Sequence, residues 1–195
     1  MLHVAGNLNS RTGGPGVFVP VQEALVKQQL YKPSQWTVTL NKTEHFRRSI
    51  YLVAKRNLRL PMMEAFDAPD MQNSCPRREQ STHPLQALEM LNGEFSNAQA
   101  RVLAGRLLRE CNWNPQEIVR NAFRLVAGRL PSDREASLAQ DFLSNQTSLL
   151  RDHNSGKEEY NLPTWMPATM ESAAASALCD FSLAMFNLPA FLYLN

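Results

Sequence analysis

The feature that most constrains the fold of this chain is a series of capped helices in its second half. Asn114-Pro-Gln-Glu117 predicts a helix start, because asparagine caps free amides, proline suits the first turn, and a carboxylate follows three positions after the cap. Apolar residues then recur every three or four positions until Gly128, which is typical of a helix end. Pro131-Ser-Asp-Arg-Glu135 repeats the start signal with Ser132 as the cap. The pattern predicts a mainly α fold.

Two further helices flank this pair. Pro84 begins an apolar stripe of three- and four-residue spacing, with a break at Asn92-Gly93, and an alanine-rich helix extends from Thr169 to Phe186. We expect the apolar face of each helix to line the core. The residues predicted to lie on these faces include Leu85, Leu88, Leu91, Phe95, Phe123, Leu138, Phe142, Leu143, Phe181 and Phe186.

Two segments near the N-terminus favour β-structure. Residues 36–40 alternate between apolar side chains and threonines, and residues 49–54 are rich in strand-favouring types. The intervening Asn41–Glu44 is able to turn, so the segments predict a two-stranded hairpin. A lone hairpin is marginal in water and needs helices beneath it. The expected fold class is therefore mainly α, a helical bundle with a small β-hairpin near the N-terminus.

Length and charge predict one domain with two lobes. The 195 residues suit a single domain, 1–195. Residues 1–60 carry nine basic and two acidic side chains, whereas residues 61–195 carry eleven and sixteen. We expect a basic, extended lobe at 1–60 and a helical lobe at 61–195. Residues 1–7 resemble the end of a helix that begins upstream, which predicts the C-terminal part of a larger protein and an uncovered apolar surface that favours a homodimer.

Membrane, export and metal signals are not found in the sequence. No window approaches the roughly 18 uninterrupted apolar residues of a membrane span, and the N-terminus lacks the cationic start and apolar stretch of a signal peptide. The three cysteines and four histidines are scattered, so neither paired zinc ligands nor a haem attachment motif exists. We predict no metal site and no cofactor in this chain.

The densest polar cluster combines Asp67 and Asp70 with Arg77 and Arg78. Two carboxylates three residues apart can serve as an acid/base pair, and lining an open pocket would favour that use. The favoured interpretation is structural, because aspartates in proline-rich loops cap turns and pair with arginines without doing chemistry. We therefore predict a salt-bridge or turn-capping network between Asp67 and at least one of the two arginines.

A basic run near the predicted hairpin is a candidate anion site. It comprises Arg47, Arg48, Lys55, Arg56 and Arg59. Guanidinium groups suit bidentate contacts to phosphate or sulfate, so a polyanionic glycan is the ligand that such a site would bind. The favoured interpretation is that the charges only keep an exposed sheet edge soluble. Nucleic-acid binding is the weakest interpretation, because it needs Arg47, Arg48 and Arg56 on one exposed face and no nucleic-acid-binding motif accompanies the charge.

Six ordered motifs resemble a known bacterial family. They are Arg47-Arg-Ser-Ile-Tyr51, Phe66-Asp-Ala-Pro-Asp70, Cys75-Pro-Arg-Arg-Glu79, Pro84-Leu-Gln-Ala-Leu88 with Leu91-Asn92, Phe123-Arg-Leu-Val-Ala-Gly-Arg129, and Asn187-Leu-Pro-Ala-Phe-Leu-Tyr193. Over nearly the whole chain the sequence resembles planctomycete-specific domain one, a domain of unknown function. The resemblance implies a periplasmic or extracellular location and a parent chain with an upstream cytochrome-c-like domain, which would hold haem. It implies no catalytic residue.

These observations favour a non-catalytic binding or assembly domain of a bacterial envelope protein linked to redox or glycan handling. Its expected partners are other domains of the parent protein, a second copy of the chain and a polyanionic glycan. The alternative is a hydrolase of anionic glycans that uses Asp67 and Asp70, and nucleic-acid binding through the basic hairpin is weaker still.

Overall fold

The computed structural model describes residues 1–69, 74–77, 81, 84–153 and 160–193, and it is mainly helical. The α-helices in these ranges are α1 (Leu2–Ala5), α2 (Glu23–Gln29), α3 (Pro61–Ala65), α4 (Pro84–Asn92), α5 (Glu94–Glu110), α6 (Pro115–Ala127), α7 (Asp133–His153), α8 (Ser172–Phe186) and α9 (Pro189–Leu192). Short 3-10 turns occupy Pro33–Gln35, Lys42–Phe46 and Ser49–Tyr51.

The chain divides into two compact units. One contains Met1–Gly6 and Met90–Asn195, and the other contains Asn7–Glu89. The charge pattern predicted a different division, into a basic lobe at 1–60 and a helical lobe at 61–195, and that division stays a prediction.

The predicted β-hairpin is wrong, because the described residues contain isolated bridges and no strand. The segment around Val17 takes the hydrogen bonds that the hairpin needs. Thr39 N donates to Phe18 O (3.0 Å), and on the other side Val17 N donates to Tyr51 O (2.8 Å) and Val53 N to Val17 O (2.9 Å). The two predicted strands therefore each bond to a third segment and not to each other.

A small core holds the Asn7–Glu89 unit together. Val26 and Leu30 of α2 pack with Trp36 and Leu58, and Phe18 meets the indole edge-on with ring centroids 5.1 Å apart. The indole N–H of Trp36 donates to Val19 O at 2.9 Å, so the buried ring leaves no unpaired polar atom. Trp36 is thus buried and Leu40 is exposed, although the alternation of residues 36–40 had placed both on one face.

The larger unit is built around α8. This helix packs against α5 and α7, and its alanines allow the backbones to approach closely. The buried residues of α5 include Leu103, Leu107 and Leu108. The predicted caps of the intervening helices are confirmed, since the Asn114 side chain accepts from Gln116 N and Glu117 N at 3.0 and 3.2 Å.

Several residues predicted to face the core are exposed. Leu85, Leu88 and Leu91 on α4 and Phe95 at the start of α5 are all exposed, and so is Leu138 on α7. The three-residue spacing puts Leu85, Leu88 and Leu91 on one side of α4, but a period alone does not say whether a neighbour covers that side. Phe123, Phe181 and Phe186 are buried as predicted.

Helix α1 confirms the helical turn expected in residues 1–7. It ends at Gly6, whose φ of 81° lies in the left-handed region that glycine adopts without strain. Arg106 of α5 donates from Nη1 to Val4 O at 2.8 Å, which satisfies a carbonyl at the helix end. So short a helix is stable only when docked, and α1 docks on α5. None of the described helices has the length and hydropathy to cross a bilayer.

The start of α7 predicts a dependence of stability on pH. Glu135 accepts from Arg129 Nη2 (2.7 Å) and from the Ser132 amide and hydroxyl (2.8 and 2.9 Å), and these bonds lower its pKa from 4.5 to about 2, with the Arg129 bond foremost. A lowered pKa in the folded state stabilises the fold above pH 4.5, and this contribution disappears as the pH falls toward about 2.

We therefore expect the unsubstituted protein to have a higher melting temperature than the Glu135→Gln variant near neutral pH. The difference between the two melting temperatures should shrink as the pH falls from 4.5 to about 2. Thermal unfolding followed by circular dichroism at a series of pH values measures it. A difference between the two proteins that does not change with pH would contradict the assignment.

Candidate functional site

Asp67 lies at the end of α3 in an unusual backbone conformation. Its φ is 53°, and its Oδ2 accepts from the Ser81 amide (2.8 Å) and hydroxyl (2.7 Å). Ser81 O in turn accepts from Gln86 Nε2 of α4 at 2.9 Å. Asp67 therefore ties the end of α3 to the segment before α4, as expected of a turn-capping carboxylate.

The polar cluster predicted around Asp67 also includes Asp70, Arg77 and Arg78. Arg77 is exposed, and its carbonyl accepts from Cys75 Sγ at 3.4 Å. Asp70 and Arg78 lie outside the described residues. The pairing of Asp67 with the two arginines, and the acid/base use of Asp67 with Asp70, stay predictions.

Arg47 is the buried member of the basic run and is 1% exposed. Its guanidinium forms an ion pair with Glu44 (3.2 Å), donates to the carbonyl oxygens of Arg11 (3.2 Å) and Gly13, and lies 3.9 Å from the Tyr51 ring centroid. All of these partners belong to residues 11–51. Arg47 is therefore the centre of a folded loop cluster and does not present its charge to a ligand.

The remaining basic residues have separate surroundings. Arg48 is exposed and lies 5.7 Å from the Tyr51 ring centroid, and Arg56 is exposed. Lys55 Nζ donates to Gln35 O at 2.6 Å, and Arg59 lies 3.6 Å from Glu64. The exposed face of Arg47, Arg48 and Arg56 that nucleic-acid binding requires is not formed, since Arg47 is buried.

A polar pocket that the sequence did not reveal lies where α5 ends and α6 begins. Its volume is about 320 Å³. The residues that line it are Glu110, Cys111, Asn112, Glu117, Arg120, Asn121, Arg124 and Leu130. The one signal of this pocket in the sequence was the three-residue spacing of Asn121 and Arg124, which places an amide and a guanidinium on the same face of α6.

A chain of hydrogen bonds orders the pocket wall. Asn121 Nδ2 donates to Glu110 Oε2 (2.9 Å), and Arg124 Nη2 donates to Asn121 Oδ1 (2.8 Å). Arg106 Nε donates to the other oxygen of Glu110 at 2.7 Å. Partial burial alone would raise the pKa of Glu110, but the hydrogen bonds from Arg106 and Asn121 outweigh it and lower the pKa. Glu110 is therefore ionised at neutral pH.

Cys111 contributes a protonated thiol to this wall. Burial and the nearby Glu110 and Glu117 raise its pKa, with burial the larger cause, and its Sγ lies 3.5 Å from Glu117 O. A thiol with a raised pKa is a poor nucleophile. The turn that follows is strained, since Asn112 and Trp113 have φ values of 45° and 64°. Among the residues the structure describes, no group of three His, Cys, Asp or Glu side chains could hold a metal ion.

Comparison with known proteins gives one match. A family model described as PSD1, protein of unknown function (DUF1553), matches residues 1–143, which is more than half of the chain. The matched range includes the Asp67 segment, the basic run and the whole pocket lining. No curated protein and no solved structure matches the chain.

Proposed function

Since this chain belongs to the PSD1 family of proteins of unknown function (DUF1553), we propose that it is a non-catalytic assembly domain that joins a second copy of itself through α4. The observation that carries this proposal is the apolar face of α4. Leu85, Leu88 and Leu91 follow one another at three-residue spacing and all are exposed. Contiguous exposed apolar side chains are typical of a protein interaction surface.

The charge of α4 favours an apolar partner. Glu89 is its one ionisable residue in nine, and burial raises the pKa of that side chain. A helix with so little charge cannot select its partner by electrostatic complementarity. The same leucine row on a second copy is a matching surface, because two-fold symmetry brings identical patches together. A pair of α4 helices in opposite directions would bury both rows.

The oligomeric state tests this proposal. We expect sedimentation equilibrium to show a concentration-dependent dimer, and Leu88→Glu to weaken dimerisation at least about tenfold, because it buries a charge at the centre of the row. Leu149→Glu is the matched control, since Leu88 is 54% exposed and Leu149 of α7 is 53% exposed. A monomer at every concentration, or equal weakening by both substitutions, would overturn the proposal.

We also propose that the domain works in the cell envelope of a bacterium, beside redox or glycan-handling domains. The support for this is the resemblance of the six motifs to planctomycete chains of that organisation. The hydrolase alternative has less support, because the Asp67 carboxylate accepts hydrogen bonds from Ser81. Fractionation of the producing bacterium tests the location, and recovery in the cytoplasm would contradict it.

A further inference from the structure

We propose that the pocket between α5 and α6 binds a small hydroxylated carboxylate, of the size of a single sugar acid, through Arg124. The pocket volume of about 320 Å³ falls at the lower end of the roughly 300–1,000 Å³ that small-molecule sites occupy. All of its lining residues belong to the larger unit.

Most of the charges in the pocket wall are already paired. Both carboxylates already have cationic partners, since Glu110 accepts from Arg106 at 2.7 Å and Glu117 pairs with Arg120 at 3.2 Å. Arg124 donates to the neutral amide of Asn121, and within the described ranges no carboxylate lies within the 4.0 Å of an ion pair with it. The wall therefore has one cation whose charge is not directly compensated.

Hydrogen bonding to Asn121 holds Arg124 in position. Asn121 is 8% exposed, and its amide nitrogen is bound by Glu110 while its oxygen accepts from Arg124. A buried amide with both ends bonded cannot rotate without breaking a hydrogen bond. One edge of the guanidinium is thereby fixed, and its other nitrogens keep donors for a ligand. A planar guanidinium suits a carboxylate, which it binds through two parallel hydrogen bonds.

The other lining residues determine which class of anion fits the pocket. Glu110 and Glu117 line the same pocket and repel a ligand of high charge, so a monoanion fits better than a phosphate or a sulfate. The carboxylates and the Asn112 side chain provide acceptors for ligand hydroxyl groups, and Leu130 provides an apolar edge. A carboxylate on a hydroxylated ring combines these properties.

Calorimetric titration with glucuronate tests the proposal, with glucose and inorganic phosphate as comparison ligands. We expect glucuronate to bind, glucose and phosphate to bind at least about tenfold more weakly, and Arg124→Gln to reduce glucuronate affinity at least about tenfold. Arg124 and Arg134 of α7 are both exposed, so both variants should fold. Arg134→Gln is the matched control, and it should bind glucuronate as tightly as the unsubstituted protein does.

Three results would overturn the proposal. They are no heat at roughly 10 mM glucuronate, equal affinity in the Arg124 and Arg134 variants, and phosphate binding as tight as glucuronate binding. The pocket does not include α4, so Arg124→Gln should leave the dimer unchanged. Failure of this test is therefore distinguishable from failure of the assembly proposal.

Discussion

Replacing Arg47 with alanine is expected to lower the free energy of unfolding of the Asn7–Glu89 unit by about 3–5 kcal/mol. The substitution removes a buried guanidinium that holds the Glu44 carboxylate, two backbone carbonyl groups and the Tyr51 ring. Those carbonyl groups would then lose a donor in a partly buried site, which is costly. Urea denaturation followed by tryptophan fluorescence measures the loss, since the Trp36 indole lies in the core of the same unit.

The neighbouring Arg48 provides the matched control. Its guanidinium is exposed and 5.7 Å from the same ring centroid, so Arg48→Ala should cost at most about 1 kcal/mol. Arg47→Lys should fall between the two, because an ammonium keeps the charge but not the planar donor geometry. Equal losses for Arg47→Ala and Arg48→Ala would show that the loop cluster does not depend on Arg47.

Phe123→Ala is expected to destabilise the larger unit by about 3–5 kcal/mol. The ring is 5% exposed on α6, among the buried side chains of Ile118, Val119 and Val126. Removing it takes apolar surface out of the core and leaves a cavity that the packed helices can only partly fill. Guanidinium denaturation followed by circular dichroism measures the change in unfolding free energy.

Phe142→Ala is the control, because it removes a less buried phenylalanine ring. Phe142 is 36% exposed, and its ring lies 6.3 Å from that of Phe181, so the same substitution should cost about 1–2 kcal/mol. Losses of similar size at the two positions would contradict the expected effect of the difference in burial. They would favour the prediction from helix spacing that both rings lie in the core.

The helices were predictable because their signals are local. Asn114 and Ser132 cap the helices that they precede, Gly128 ends α6, and Gly93 separates α4 from α5. Each of these signals acts within one helical turn, so the sequence contains everything that determines it. The PSD1 family was likewise correctly identified from ordered motifs.

The failed predictions depend on contacts between distant segments. The hairpin was lost because Val17 bonds to Tyr51 and Val53, and no local pattern indicated that a third segment would intervene. Arg47 was a candidate anion-binding residue, but it is buried, and its partners at Arg11 and Gly13 lie more than thirty residues away. Charge type predicts that an arginine will find anionic or carbonyl partners, and it does not say whether those partners belong to the protein.

The pocket was missed for a related reason. Its central contact joins Glu110 and Asn121, which are eleven residues apart on two helices. That contact depends on the angle at which α6 leaves α5, and the left-handed Asn112 and Trp113 determine this angle. Two consecutive residues with positive φ and no glycine are uncommon, so sequence patterns carry no expectation of such a turn.

The contact between α1 and α5 has a consequence for how the protein is synthesised. Arg106 follows Val4 by 102 residues, so a ribosome releases α1 long before the residue that caps it. During that time α5, on which α1 docks, is absent, and a helix as short as α1 is not stable without such a partner. Asn7–Glu89, by contrast, has all of its own residues available first. The residues of α1 are therefore made before Asn7–Glu89 but reach their native positions after it, and a nascent-chain folding assay would detect their docking only after α5 has emerged.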